Sequence, residues 1–474
     1  MGSLRALGQC RTGGDRRTDL RRCGEKKGLK AALAAEVIAE IEELIGPGSA
    51  ASLDFEAMET AARRQVLALT ARAVEQRLNA DKSDYLGPFA PCRCGAAARY
   101  GGRRPLSITT VLGTMTLSRV YYHCRPCGSG FFPRDHSFGI EEHSLSPGVT
   151  RMVGLAAATA SFEGSAELLS ELAGVQLPAK QVERVAEDLG EEIAADEREH
   201  SEPETTSELP RTLYMGTDGT GLPMRPVELE GRAGKQPDGS SKTREAKLCV
   251  VWSAEKNNKD GIPERDRGSA TYTAAIESAA ADGPDLSDFA QRVEREAQRR
   301  RFTEASRHAV LGDGALWIWN LFSLLFPNAI QIVDLYHALE RISRAAAAIW
   351  GAGSQPGEEW AHERREDLKE GRFDQLIAAF ETHRKTSEEV PKLIGYLETN
   401  RERMRYPEFR AQNLCVSTGM VEAGCLHVIG DRLKQSGMRW TVRGANAITA
   451  LRCAKLSGRF EDFWERRQET AKAA

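Results

Sequence analysis

Three acidic residues stand in similar settings, far apart in a chain of 474 residues. Asp218 follows an apolar run in LYMGTDGTGLP, Asp313 does so in HAVLGDGALW, and Glu422 lies in CVSTGMVEAG. The first two are 95 residues apart and the last two 109, so each must be delivered by a different element of the fold. Hard divalent cations prefer oxygen ligands. Three carboxylates brought together can hold two Mg²⁺ or Mn²⁺ ions, the pair that clamps the attacking and leaving oxygens in phosphoryl transfer. The chemistry this suits is metal-dependent cutting and joining of nucleic-acid backbones. Taken singly, each acid reads more simply as a turn residue, since Asp-Gly is a common turn dipeptide. The order of the three, with what lies between them, has to carry the argument.

Other residues could do chemistry as well. Cys92-Arg93-Cys94 and Cys124-Arg125-Pro126-Cys127 bracket a β-prone stretch. Thiolates at short spacing on two turns joined by strands suit tetrahedral zinc, which would stabilise a module whose core is too thin alone. The C-x-C pair is tighter than the usual C-x2-C, so His123 as a substitute ligand, or a hairpin with incidental thiols, is the competing account. Asp334 and His337, in IVDLYHALE, follow a buried-looking strand. They suit support of a nearby site, since carboxylates often orient neighbouring groups, or plain local hydrogen bonding. Glu422 is expected one turn into a helix that starts at Ser417 or Thr418, both good N-caps. Beyond it, DRLKQSGMRWTVRGANAI carries Arg432, Lys434, Arg439 and Arg443, with Trp440 among them. Cations interleaved with an aromatic suit a DNA backbone and an unstacked base; a solvated helix face is the plainer alternative.

The elements that must position these residues can be read from pattern. Runs at 212–217, 246–253 and 269–275 are strand-like. A helix follows, with Leu286, Phe289, Val293 and Ala297 on one face. Then come a strand at 308–312, a helix at 315–326 and a strand at 330–335. This order predicts an α/β fold with a mixed sheet and helical crossovers. It places Asp218 and Asp313 at the carboxyl ends of strands, where open α/β sheets gather functional groups. Residues 338–412 read as mainly helical, within a domain spanning 211–474.

Upstream, residues 1–30 read as a basic disordered arm and 31–86 as helical, with Ile38, Ile41 and Leu44 at helical spacing and a break at Gly46-Pro47-Gly48. Residues 87–140 hold the cysteine pairs and a hairpin turning at Leu112-Gly113-Thr114. Residues 145–200 return to helix. There Leu168, Leu169 and Leu172 are expected to face inward, Gly174 ends the helix, and Val182, Val185 and Leu189 mark the next. The pattern is that of a helix-turn-helix or of a plain helical hairpin. Residues 201–210 read as an acidic linker.

The net charge of −3 does not advertise a nucleic-acid binder. The charge is uneven, however: residues 401–474 carry fourteen Lys/Arg against eight Asp/Glu, so local basic surfaces remain available. No apolar run is long enough to span a bilayer, and the N-terminus lacks the apolar core of a signal peptide. The chain therefore reads as a cytoplasmic protein with no membrane partner, where ten cysteines argue against a disulfide framework.

Several runs together resemble a known family. YYHCRPCGSGFFPRD, MGTDGTGLPMRPVELEGRAGKQ, TREAKLCVVWSAE, LGDGALWIWN, IQIVDLYHALE and VEAGCLHVIGDRLKQSGMRWTVRGANAI are similar to insertion-sequence transposases of the DDE type, specifically the ISKra group, over about residues 87–467. The resemblance implies a ribonuclease-H-like catalytic domain, its mixed sheet flanked by helices and interrupted by a helical insertion near 338–412. Helical segments and a zinc-ribbon-like β-hairpin module would precede it. The resemblance assigns Asp218 to bridge two Mg²⁺ (or Mn²⁺) ions, with Asp313 and Glu422 each completing one. Asp334 and His337 match the D-x2-H signature of the wider Mutator-like relatives. DNA cleavage and strand transfer by a homo-oligomer are the implied activity. Two alternatives remain: a DNA-binding derivative that has lost catalysis, which the presence of all three acids disfavours, and a ribonuclease-H-like nuclease that cuts without joining.

Overall fold

A computed structural model describes residues 54–140, 144–203, 208–234, 236, 241–259, 261–276 and 286–473, with Ala35, Ile38 and Ala39. The expected arm at 1–30, the helical positions Ile41 and Leu44, the break at Gly46-Pro47-Gly48 and the middle of the 201–210 linker lie outside the described residues. The chain divides into two compact units. One is built mainly from residues before Thr150, the other from Thr150–Leu172 and Gln176–Thr470.

In the first unit, β1 (Phe89–Pro91), β2 (Ala97–Thr110), β3 (Gly113–His123) and β4 (Gly130–Phe131) form an antiparallel sheet in chain order. The expected hairpin is β2–β3. Its turn needs Gly113, whose φ of 120° would strain any side chain. Helix α1 (Phe55–Ala80), capped by the Asp54 side chain, lies along β3. Glu75 and Asn79, one helical turn apart, accept the backbone N–H groups of Thr116 and Ser118 at 2.8 and 2.7 Å. Helix side chains thus satisfy an edge that would otherwise offer itself to another strand. Ala71, Val74 and Leu78 of α1 pack on Ile108, Met115 and Leu117. A short helix, α2 (Pro133–Phe138), follows β4.

Three helices come before the second sheet: α3 (Pro147–Ala157), α4 (Phe162–Ala173) and α5 (Ala179–Glu199). On α4 only Leu169 of the three expected leucines is buried; Leu168 and Leu172 are exposed. The buried stripe runs through Ser165 and Leu169. Leu168 and Leu172 form the adjoining stripe at the same four-residue spacing, and spacing alone does not say which of two such stripes is covered.

The second sheet contains β5 (Thr212–Pro223), β6 (Thr243–Ser253), β9 (Thr271–Ala275), β10 (Arg307–Gly312) and β11 (Ile330–Val333) in the order β11-β10-β5-β6-β9. A small ladder of β7 (Lys256–Asn257) and β8 (Pro263–Glu264) stands apart from it. The β5–β6 and β6–β9 pairs are antiparallel, while β10 runs parallel to both β5 and β11. Leu213 to Met215, Leu248 to Val251 and Ala309 to Leu311 are buried, as expected of central strands covered on both faces. Helix α6 (Asp288–Arg299) joins β9 to β10 and buries Phe289, Ala290, Val293 and Ala297; α7 (Leu316–Leu325) joins β10 to β11.

After β11 the chain is helical: α8 (Leu335–Trp350), α9 (Gln355–Lys369), α10 (Phe373–Glu381), α11 (Glu389–Asn400) and α12 (Tyr406–Ala411). Then α13 (Gly419–Gly424), a π-helical turn (Cys425–Gly430) and α14 (Asp431–Leu433) follow without a break, before α15 (Val442–Leu456) and α16 (Phe460–Ala473). Helix α15 crosses α5 at Gly190 so closely that a Cβ there would overlap the Ala447 carbonyl. Among the described residues, no helix is long and apolar enough to cross a membrane.

Candidate active site

Strand β5 is longer than its apolar pattern implies. It continues to Pro223, paired with β6 throughout, so Asp218 sits in mid-strand and not at a carboxyl end. What ends near Asp218 is the pairing with β10, whose last partners are Leu311 and Gly216. Asp218 and Asp313 each lie two residues past that pair. Adjacent parallel strands therefore carry the two acids to the same level. Small residues make room around them. A Cβ on Gly216 would overlap Val421, the neighbour of Glu422, and one on Gly312 would come 2.7 Å from Ile318. Gly314, at φ 96°, lets the chain turn beneath Tyr396.

Asp218 is half-buried, and its Oδ1 accepts the Gly219 N–H at 2.7 Å. Burial pushes its carboxyl above the usual carboxylate range; the Gly219 N–H opposes this, and the charge of Asp313 adds to it. Asp313 Oδ1 accepts the Ala315 N–H at 2.8 Å. Its backbone carbonyl accepts the Tyr396 hydroxyl at 3.0 Å, which ties α11 to this loop.

Asp334 is fully buried at the end of β11. One of its oxygens caps α8 by accepting the His337 N–H at 2.7 Å. The other accepts both the backbone N–H and, at 2.8 Å, the hydroxyl of Thr418. A single carboxylate thus joins β11, α8 and the start of α13. Thr418 does occupy the N-cap position of α13, but its hydroxyl makes no cap hydrogen bond and donates to Asp334. Downstream of this latch, His337 Nε2 lies 3.3 Å from Glu422 Oε1. Cys425 Sγ lies 4.0 Å from Asp218 Oδ2, its thiol pushed up to about 12 by burial and by the charge of Asp218. The π-helical turn begins at Cys425, three residues after Glu422. Such turns recur at functional sites, but no residue pattern in CLHVIG announces this one. Tyr396 and Cys425 are site neighbours that sequence reasoning missed, as is the bond of Thr418 to Asp334.

The carboxylates of Asp218, Asp313 and Glu422 are the oxygen ligands that Mg²⁺ takes. They are not drawn within 4.8 Å of one another, a spacing that among the described residues only the four thiols reach.

The basic run beyond Glu422 divides. Lys434 is exposed and donates to the Thr220 hydroxyl, two residues from Asp218. Arg439 is exposed at the edge of a cleft. Arg443 is half-exposed but held by Glu187, Asp188 and Glu191 of α5. Arg432 and Trp440, expected to face DNA, are buried instead. The Arg432 guanidinium lies over the rings of Phe162 and Trp440 and donates to the Ala157 carbonyl at 2.7 Å. Burial holds it down to about 10. The Trp440 indole donates to the Leu433 carbonyl at 2.8 Å. Alternating cations and aromatics look the same in sequence whether they form a surface strip or a buried stack.

In the first unit, Cys92, Cys94, Cys124 and Cys127 bring their sulfurs within 4.8 Å of one another. Cys92–Cys127 and Cys94–Cys124 are 3.7 and 3.6 Å apart. A zinc ion with four Zn–S bonds of 2.3 Å sets its sulfurs about 3.8 Å apart, so the four thiols could hold zinc. Gly95 and Gly128, each just after the second cysteine of a pair, have φ of 85° and 71° and close the two turns. The Ser129 hydroxyl and N–H hold the Cys127 thiol down to about 6, toward the thiolate a metal needs. The C-x-C spacing is therefore no obstacle to the cluster.

The second unit is built on a mixed sheet flanked by helices that sets Asp218 and Asp313 at one level of adjacent parallel strands, and the first carries a four-thiol hairpin module. Residues 97–468 match the model of a family described as an uncharacterised protein family, UPF0236, and the chain belongs to that family. No curated protein matches it in sequence. Among solved structures, a chain of the Drosophila P element transposase strand transfer complex is similar at 8% identity and a TM-score of 0.24, covering 67% of this chain and 80% of that one.

Proposed function

We propose that this protein is a DDE transposase of the kind carried by ISKra insertion sequences, cutting DNA strands and joining them to a target by in-line phosphoryl transfer. The observation that supports the reading is the register that carries Asp218 and Asp313 to one level of adjacent parallel strands, with Glu422 of α13 beside His337 and Cys425 beside Asp218. The mixed sheet is compatible with the ribonuclease-H-like domain that the family resemblance implies, with the helices of about 338–412, most of α8 and α9 to α12, as its helical insertion. Asp218, Asp313 and Glu422 are the residues that would hold two Mg²⁺ or Mn²⁺ ions. When bound, such a pair supplies Lewis-acid activation of the attacking oxygen and stabilises the leaving oxygen. The remaining work belongs to the chain. Asp334 fixes the start of α13 and hence Glu422. His337 orients the Glu422 carboxylate or meets a phosphate oxygen beside it. The thiol module would hold a structural zinc ion, and the active form would be a homo-oligomer that pairs two DNA ends.

The test is a supercoiled plasmid carrying the genomic DNA that flanks this gene, incubated with the protein and Mg²⁺. Nicked and joined products are expected. Asp218→Asn and Asp313→Asn should each lower the rate by at least about a hundredfold, in line with the loss of one transition-state-stabilising group. Asp313→Asn should still bind the DNA, because phosphate contacts dominate affinity. Hydrolysed ends without joined products would favour the nuclease that cuts only. Absence of metal-dependent nicking by the unaltered protein would contradict the proposal.

A further inference from the structure

Beyond the acids, β5 runs to the mouth of a cleft of about 1070 Å³. One wall is the end of β5 and the segment after it; the other is the loop from Lys434 to Arg439 that follows α14. The walls are fastened by backbone. The Trp440 N–H donates to the Pro223 carbonyl at 3.1 Å, and the Arg225 N–H donates to the Trp440 carbonyl at 2.8 Å. Val442 N–H donates to Glu228 Oε1 at 3.1 Å. The buried Trp440 that does not face DNA is thus the anchor of this loop.

The cleft combines two chemistries. Met224, Leu229 and Met438 give it an apolar floor. Arg232, Lys242 and Arg439 stand exposed around it, and among the described residues none of the three is paired with an acid. This contrasts with Arg443, Arg466 and Arg467 nearby in sequence, which are all bound to carboxylates. Lys434 lines the same cleft and reaches Thr220, so cationic surface continues from the cleft toward Asp218.

We infer that this cleft receives the single-stranded DNA segment next to the reacting phosphate, its phosphates on the unpaired cations and an unstacked base on the apolar floor. A duplex would reach only the cationic rim, because its bases stay stacked. A single strand offers both a backbone and a base face to the two surfaces present. Pro223 is five residues along β5 from Asp218, about 17 Å at about 3.4 Å per residue. At the duplex rise of about 3.4 Å this is about five stacked nucleotides, and an unstacked single strand covers the same distance with fewer. The inference rests on the proposed function for its polarity and distance from the acids, not for the binding itself.

The probes are fluorescein-labelled hairpin duplexes of mixed sequence, blunt or with single-stranded extensions of two, five or eight nucleotides, read by anisotropy with the full chain. Extensions of five or more should bind about tenfold tighter than the blunt hairpin, as added phosphates meet the unpaired cations and a base face leaves water for the apolar floor. The double variant Arg232→Glu/Lys242→Glu should lose that advantage, while its melting temperature reports an intact fold. Equal affinity for blunt and extended probes, or an advantage that a folded double variant keeps, overturns the inference. Metal-dependent nicking on the same preparation separates the two ideas. Nicking without an extension advantage sinks the cleft alone, and an extension advantage without nicking sinks the catalytic reading alone.

Discussion

Asp218 is held where its own charge is disfavoured. Because burial raises its folded-state pKa, the metal-free fold keeps the proton more readily than the unfolded chain does. Its contribution to stability is therefore favourable at low pH and is lost as pH rises through the raised value, leaving a cost at pH 7. Asp218→Asn should accordingly raise the melting temperature of metal-free protein at pH 7. Mg²⁺ should raise that of the unaltered protein and not of the variant. Differential scanning fluorimetry with and without EDTA reads both, and a lower melting temperature for the metal-free variant would count against the account. The strands that carry Asp218 and Asp313 were legible because short, sharply bounded apolar runs announce strands; the mid-strand place of Asp218 was not, because its small-residue setting reads as a strand end. The fate of Arg432 was not, because burial depends on what packs over Phe162 and Trp440 from other elements.

Among the elements, the junction of β11, α8 and α13 matters most, since one buried carboxylate holds it. Asp334→Ala would leave the N–H groups of His337 and Thr418 without their acceptor. It should cost about 3 kcal/mol, the sum expected for a lost cap and stranded buried donors, and should also slow strand cleavage by displacing Glu422. Urea melts and a nicking assay measure the two effects; a variant that melts like the unaltered protein would remove the latch from the account. The crossing of α5 and α15 makes a second demand. Gly190→Ala should cost about 1–3 kcal/mol, the usual penalty of overpacking, since the added Cβ meets backbone and not a movable side chain. An unchanged urea midpoint would mean that the helices separate freely. The order of the five strands of the larger sheet and of helices α6 and α7 between them could be read from period and punctuation, whereas the short β7–β8 ladder could not. The extension of β5 past Asp218 could not, because TDGTGLP looks like a turn and is held straight only by its pairing with β6. The π-helical turn after Glu422 likewise leaves no mark in residue type.

For the molecule as a whole, a net charge of −3 says little about where cations are available. Many arginines are engaged internally, as Arg459 is with the buried Glu296, while Arg232, Lys242 and Arg439 around one cleft have no acid partner among the described residues. The thin core around Ala90, Ala98, Val120 and Tyr122 points to metal as a structural element of the hairpin module. Purified protein should carry one zinc per chain by elemental analysis. Cys124→Ser should lose it and become open to protease within 87–134; a zinc-free protein equally resistant there would refute the structural role. The central claim concerns the acids, and a crystal of the protein soaked in Mn²⁺ with DNA tests it most directly by anomalous diffraction. The account predicts one or two peaks ligated by Asp218, Asp313 and Glu422, about 4 Å apart if two are bound. An ordered site with DNA in place and no peak among these three carboxylates would contradict it.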